Sequence, residues 1–439
     1  MRVFVFDEFE PETSAMLQAL YSRSSSSVTD HVAKVREKGS GRFMASYYVG
    51  YGHASIGDCG VTTFFLEDIS LLACKAVQDN PLYSGQESST RYIDFSRQRL
   101  CDPIGSSRSE ALQRRWVDFY CESASGVTSY LKSCFPLAAG GNEKQWEKAI
   151  VARGFDILRG FLPAGVTSQT SWTTNLRQAH EHLLRLEAHP LDEVRLLANE
   201  CRQALVHKYP NSFGHKIASA EREYLNLISA NEAYYLPQDG CPAAGEFRYK
   251  TNIDNHDLEA SSLDLIALRP RKCQLPKSLG RFGVYQCEFL LDFGSFRDLQ
   301  RHRGGMCRMP MLTEAFGLHP WYFNHLPDAL RVKAETFVSQ QLSELNDIDP
   351  KITREVKQYY LPIGMNVACQ ITYDLPEMVY VAELRSNQTV HPTLRWVAQQ
   401  MAQVLAANHP KLALHADLSE SEFCLRRGSQ DIVERSSAA

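Results

Sequence analysis

A chain of 439 residues with 47 lysines and arginines against 51 aspartates and glutamates has a formal charge of −4, too little to draw it as a whole onto nucleic acid or a membrane surface. No stretch approaches the roughly twenty uninterrupted apolar residues of a membrane span. The opening MRVFVFDEFEPETSAML, one arginine and then acids, lacks the pattern of a secretory signal. The 12 cysteines are scattered without a CxxC pair, which predicts reduced thiols and a cytoplasmic compartment.

In chain order, VTTFFLEDISLL (61–72) has the β-branched and aromatic residues of a strand and runs into a helix-like segment carrying Lys75 and Gln78. The loop QDNPLYSGQESSTRYIDFS (78–96) turns at Gly85 and then presents Glu87, Ser88, Ser89, Thr90, Arg91 and Tyr92. Hydroxyls, backbone N–H groups and one arginine on a glycine-bearing loop suit a phosphate or a nucleotide edge. Apolar residues recur at helical spacing over 142–162, 191–209 and 393–409. Asn, Pro and Gly gather over 228–246, which predicts a linker between a first half, 1–227, and a second, 247–439. A second strand, VYQCEFLLDFGSF (284–296), again leads into a helix-like segment, which ends in LQRHRGG with Arg301, His302 and Arg303 before Gly304 and Gly305. Cations in a last helical turn followed by glycine make a favourable helix end. The same guanidiniums can instead grip phosphate or carboxylate in a two-pronged way.

The two halves repeat one another. FLPAGVTSQTSWTTNL (161–176) aligns with YLPIGMNVACQITYDL (360–375), placing Leu162, Pro163, Gly165, Thr173 and Leu176 on Leu361, Pro362, Gly364, Thr372 and Leu375. Downstream, HPLDEVRLLA (189–198) faces HPTLRWVAQQ (391–400); upstream, Lys75 and Gln78 face Arg297 and Gln300. Three weak matches in one order predict a divergent duplication. The halves are also complementary: the first has Asp79, Asn80 and Pro81 in place of RHR, and the second has Met309, Met311 and Thr313 in place of Glu87, Ser89 and Arg91.

These residues resemble the flavin-dependent thymidylate synthases, whose motif joins an RHR to a run like QESSTRY in one stretch. Here the motif is split between the halves. The first half is also similar to that family at GYGHASIGDCG, at RGFLP with Arg159, and at WTTNLR with Asn175 and Arg177; the second adds ELRS with Arg385. The resemblance implies an α+β fold of two tandem copies of a thymidylate-synthase-complementing-type domain, each an antiparallel sheet with packed helices. It implies FAD held by Arg301, His302 and Arg303, with Asn175 and Arg177 assisting. It implies a pyrimidine nucleotide contacted by Glu87, Ser89, Arg91, Arg159 and Arg385, of which Ser89, Arg91 and Arg385 lie nearest the chemistry. The reaction implied is reductive methylation of dUMP to dTMP, with methylenetetrahydrofolate and NAD(P)H as co-substrates. Because family members are tetramers with sites between subunits, a tandem chain is expected to form a homodimer, a pseudo-tetramer of repeats.

Several positions depart from the family pattern. Asp58 and Cys59 replace a Glu-His pair, Asp298 replaces a glutamine before the RHR, and Asp374 and Pro376 stand at the second-half Asn-x-Arg positions. They open two alternatives: methylation or hydroxymethylation of another pyrimidine nucleotide, or a non-catalytic flavin- or nucleotide-binding protein. His302, flanked by two cations, is expected to be neutral. No metal site is expected, since His180 and His182, two apart on a helix, do not share a face, even with His189 nearby. The aromatic run HPWYFNH (319–325) reads as core or interface, with stacking on a ring as the other use. No nucleic-acid partner is expected, because the basic residues form one cluster rather than a stripe.

Overall fold

The computed structural model describes residues 8–22, 24, 27–50, 54–91, 94–214, 217–237, 240–348, 351–421 and 423–429. Tyr92, residues 51–53 of the GYGHASIGDCG motif, part of the 228–246 segment and the tail beyond 429 lie outside the described residues. The fold is α+β, as expected. Contacts divide the chain into two compact units, one of residues up to 69 with 73–87 and 168–233, the other of 70–72, 88–167 and 234 onward.

The first unit contains a two-stranded sheet of β1 (Val61–Ser70) and β2 (Thr167–Asn175). Phe64 stacks on Trp172 across these strands at 5.0 Å. β1 runs directly into the helix Leu71–Gln78, and β2 into Leu176–Glu187, where the Asn175 side chain accepts the Gln178 N–H and caps the first turn.

The second unit is built on a four-stranded sheet in the order β3 (Phe247–Thr251), β4 (Val284–Asp292), β6 (Asn366–Asp374), β5 (Met306–Cys307), every pair antiparallel. In β4 the inward Tyr285, Cys287 and Phe289 alternate with more open Gln286 and Glu288, the period of a half-covered strand. Its last residues Leu290 and Leu291 are buried on both faces by helices, including Pro392–Asn408. β4 then runs into the helix Phe293–Leu299, capped by Asp292, and β6 into Leu375–Arg385, capped by Asp374. The first half's helices Ser107–Cys134 and Glu143–Leu158 also belong here. Trp116 and Phe119 from the former pack on Phe337, at 4.9 and 4.7 Å between ring centroids.

Matched positions of the two sequence halves make matched backbone bonds. Leu71 N–H donates to Val166 C=O at 3.2 Å, as Phe293 does to Met365 at 3.0 Å. Cys101 donates to Gly165, and His319 to Gly364, at 2.8 and 2.9 Å. The two LPxG turns face each other reciprocally: Ala164 donates to Leu361 and Ile363 to Leu162, while Gly165 donates to Tyr359 and Gly364 to Gly160. Glycine is required at this crossing, because a Cβ on Gly364 would stand 2.5 Å from the Gly160 oxygen.

The 228–246 segment is not uniformly a linker. The helix Ser219–Glu232 enters it, and Tyr235 then pairs with the stretch around Pro310, its N–H donating to Met309 C=O at 2.7 Å and its C=O accepting from Met311 at 2.9 Å. Nor does the chain part cleanly there, since residues 88–167 are built into the second unit. Their apolar helix faces are completed by second-half side chains, which local composition does not record.

Candidate functional site

The RHR is not a last helical turn. The helix Phe293–Leu299 ends at Gln300, and Arg301, His302 and Arg303 lie on the turn that leads to β5. Both following glycines are tightly enclosed: a Cβ on Gly304 would meet the Glu377 carboxylate at 2.1 Å, and one on Gly305 the Thr372 oxygen at 2.4 Å. The turn is thereby pressed against β6 and the helix Leu375–Arg385.

This turn forms one wall of a cleft of about 370 Å³, whose cations are Lys277, Arg301, Arg303 and Arg385 and whose carboxylates are Asp374 and Glu377. Tyr380 lines it as well, and a neighbouring cavity of about 280 Å³ continues past Tyr380 to Arg271 and Lys272. His302 is buried beneath the two arginines, where its Nε2 accepts the Arg385 Nε–H at 2.7 Å. Burial first, then the Arg385 charge, push its pKa down to about 3. This favours a neutral ring, and the flanking Arg301 and Arg303 are the lesser causes.

Asp298 anchors the cluster from below. Arg301 lies 3.6 Å from its carboxylate, and Arg385 Nη2 donates to its main-chain oxygen at 2.9 Å. Burial would raise its pKa, but the guanidiniums of Arg301, Arg385, Arg159 and Arg91 outweigh that and hold it well below the usual carboxylate range. First-half and second-half arginines thus act on one carboxylate.

The first-half arginines are deeply placed. Arg91 grips Asp156 through two bonds, Nε–Oδ1 at 2.7 Å and Nη2–Oδ2 at 3.1 Å, and donates to Thr389 C=O at 3.2 Å. Arg427 from the C-terminal turn bonds the same Asp156 carboxylate. Arg159 is 1% exposed and points at Ser295 Oγ, 2.8 Å away, with the Asp292 carboxylate at 3.8 Å. Asp292 also accepts from Tyr322 and Thr393 hydroxyls. The expectation that Arg159 faces a nucleotide meets a guanidinium enclosed in the interior, where a buried carboxylate is its nearest charge.

Glu87 is likewise enclosed, its side chain 1% exposed and 2.7 Å from the equally buried Lys75 ammonium, with Gln78 donating to it at 2.9 Å. Ser89 Oγ accepts the Arg91 N–H at 3.2 Å, so it shapes the loop that carries Arg91. Asn175 is spent as a helix cap, and Arg177 pairs with Asp58 at 2.7 Å. The Asp58 and Asp374 departures therefore both have local partners. Asp58 holds Arg177, and Asp374 caps its helix through the Glu377 N–H at 2.8 Å. Burial first and then Asp58 raise the Cys59 thiol, which disfavours a reactive thiolate.

In the second half, the positions answering Glu87 and Ser89 are buried Met309 and Met311, covered by the Tyr235 pairing. HPWYFNH is core: Trp321 and Tyr322 are buried and pack on His391. His182 is buried against Val77 C=O. The three metal-ligating side chains that cluster among the described residues are exposed Asp254, His256 and Asp257, and Asp254 already caps a helix.

Sequence reasoning missed Asp156, Asp292, Lys277, Tyr380 and Arg427. Asp292 had a local signal, an acid just before a helix; Asp156 and Arg427, 271 residues apart, had none.

Guanidiniums around a concave turn suit an anionic ligand, and comparison with known proteins places this α+β chain more closely. Residues 5–211 match the thymidylate synthase complementing protein family. At greater length the chain is similar to a UPF0159 protein of Thermoplasma acidophilum, 23% identical over 90% of this chain and 93% of that protein. It is also similar to UPF0159 proteins of Chlamydia pneumoniae, 21% identical over 83% of this chain and 78% of that protein, and of Chlamydia muridarum, 23% identical over 82% and 77%. Among the described residues, no helix is long and apolar enough to cross a membrane.

Proposed function

We propose that this chain is a flavin-dependent thymidylate-synthase-like enzyme that methylates C5 of a pyrimidine nucleotide, dUMP in the simplest case, with methylenetetrahydrofolate as carbon donor and NAD(P)H as reductant. The observation that carries this is the convergence of Arg91 from one half of the split motif with Arg301 and Arg385 from the other on the charge of Asp298. Five guanidiniums, of Arg91, Arg159, Arg301, Arg385 and Arg427, share three carboxylates, of Asp156, Asp292 and Asp298. A phosphate brought among them would be held by charge-assisted bonds.

The donor set fits the diphosphate of FAD, with Lys277, Arg301 and Arg303 lining an open cleft and Tyr380 offering an aromatic face. When bound, a flavin supplies the electron-carrying ring that no side chain here can replace. Arg385 fixes the His302 tautomer and, through the Asp298 backbone, the position of the RHR turn. Neutral His302 can contact a ring system without adding charge. The matched bonds of the two halves support a tandem of diverged copies, with two chains rebuilding a four-copy assembly as a homodimer.

One observation favours a second reading, a flavin- or nucleotide-binding protein without turnover. Arg91, Arg159 and Glu87 each already have a buried partner of opposite charge. The test is the visible spectrum of purified protein after FAD loading and desalting, followed by incubation with dUMP, methylenetetrahydrofolate and NAD(P)H. A flavin band that vanishes in an Arg301→Ala, Arg303→Ala variant, with product of dTMP mass, supports the enzyme. Flavin retention without product supports the second reading, a hydroxymethyl product mass the alternative chemistry, and a colourless protein removes both flavin readings.

A further inference from the structure

Beyond the RHR turn the cleft continues into the second cavity, of about 280 Å³. The two cavities share Leu275, Pro376, Tyr380 and Leu384 in their walls, so a ligand held in the first can extend into the second. Val379 adds to an apolar floor, and Arg271 and Lys272 stand in the wall above it. Both cations are exposed, and neither has an ion pair or hydrogen bond among the described residues. The carboxylate in this lining, Glu383, is already taken: it accepts from the Arg269 guanidinium through both oxygens and from the His415 N–H at 2.8 Å. The outer end of the cleft therefore joins an apolar floor to two cations without a counter-charge.

The loop that carries these cations is firmly built. Arg269, 7% exposed, donates from Nη1 to Cys273 C=O at 2.6 Å and from Nη2 to Ala413 C=O at 2.8 Å. Its own C=O lies 3.0 Å from His415 Nε2. Cys273 N–H donates to Pro270 C=O at 3.2 Å and closes a turn. Inside that turn Lys272 has φ 70°, in the left-handed region that a residue with a side chain seldom adopts. Such a conformation persists where the surrounding contacts impose it, as the bonds of Arg269 do here. A buried arginine thus fixes the course of the backbone through Arg271 and Lys272.

We propose that this second cavity binds the tail of the one-carbon donor, with its benzoyl ring on Leu275, Tyr380 and Leu384 and its glutamyl carboxylates at Arg271 and Lys272. This rests on the reading of methylenetetrahydrofolate as carbon donor. That molecule ends in a benzoyl ring linked to glutamate, which longer forms extend by further γ-linked glutamates. The tail therefore combines an apolar body with a run of carboxylates, and each added carboxylate gives the two cations another charge-assisted partner. The adenosine end of a dinucleotide would cover the same floor but bring no charge to Arg271 and Lys272.

Isothermal titration of the full chain with p-aminobenzoyl-monoglutamate and p-aminobenzoyl-tri-γ-glutamate tests this without requiring turnover. Wild-type protein should bind the triglutamate roughly tenfold more tightly, the order of one charge-assisted bond. An Arg271→Gln, Lys272→Gln variant should lose that advantage and keep the monoglutamate affinity and the flavin band of wild type. The charge-conserving swap Arg271→Lys, Lys272→Arg should retain it. Equal binding of both probes by wild type, binding of neither, or an advantage that survives the glutamine variant overturns the proposal. A flavin band lost from the glutamine variant assigns the cavity to the dinucleotide and overturns it as well. A triglutamate advantage in a protein that makes no dTMP leaves the tail site standing and removes the enzyme reading; dTMP formed without any such advantage does the reverse.

Discussion

Arg159 shows how a residue type can be right and its surroundings unreadable. Its position in RGFLP carries no sign that Asp292, 133 residues later, will stand beside it in the interior. Removing one member of a buried pair strands the other charge. Arg159→Ala is therefore expected to lower stability by about 3–5 kcal/mol, read from urea unfolding, whatever it does to nucleotide binding. A variant of unchanged stability would mean that Asp292 does not depend on it. The buried histidines make a second residue-level prediction. Burial first holds His182 at about 4 and His302 at about 3, from an ordinary 6.5. The unfolded chain takes up protons on these rings below its own pKa while the folded chain does not. Stability should therefore fall as pH drops from 6.5 towards 4 for His182 and towards 3 for His302. Each ring contributes a slope of about 1.4 kcal/mol per pH unit inside its window. Unfolding titrations at about pH 7 and about pH 5 measure that slope, and His302→Gln should flatten it by one ring's share.

At the scale of elements the sequence is far more legible, because strands and helices are written in local periodicity. The strands at 61 and 284, and the helices over 142–162, 191–209 and 393–409, stand where their patterns place them. What periodicity cannot give is the use of a polar residue at a boundary. Asp374 and Pro376 depart from an Asn-x-Arg pattern, yet Asp374 caps its helix as Asn175 does, and Pro376 occupies the first turn, where no N–H is needed. Both side chains cap, since an unsatisfied first turn costs stability in either half. Asn175→Asp is therefore expected to keep the stability of the wild type, and Asn175→Ala to lose about 1 kcal/mol, in thermal or chemical unfolding. If the two substitutions weakened the protein equally, Asn175 would be acting through a contact other than the cap. The RHR belongs to the same lesson. Its charge was plain, but the close fit of Gly304 and Gly305 against Glu377 and Thr372, which presses the turn onto its neighbours, closes only after folding.

For the whole molecule, the likeness of the two LPxG stretches could be read in the sequence, while the grouping of the chain could not. Repeats are read along the sequence, but compact units follow side-chain contacts. Residues 88–167 precede the 228–246 segment, yet their core partners follow it. Trp116 Nε1 donates to Tyr360 C=O at 3.1 Å, and Gln113 donates to Tyr359 C=O at 3.0 Å. Phe119 stacks on Phe337, and Asp156 pairs with Arg427. A cut at the apparent linker would expose all of these on one side and leave their partners open on the other. A fragment of residues 1–233 is thus expected to be insoluble or to bind a hydrophobic dye when made alone, and to become soluble when made together with residues 234–439. The helix Ser107–Cys134 is the element to follow by hydrogen exchange: its amides should be protected in the reassembled pair and unprotected in the lone fragment. Protection of that helix in the lone fragment would show that each sequence repeat folds on its own, and that the shared core is added to two finished domains.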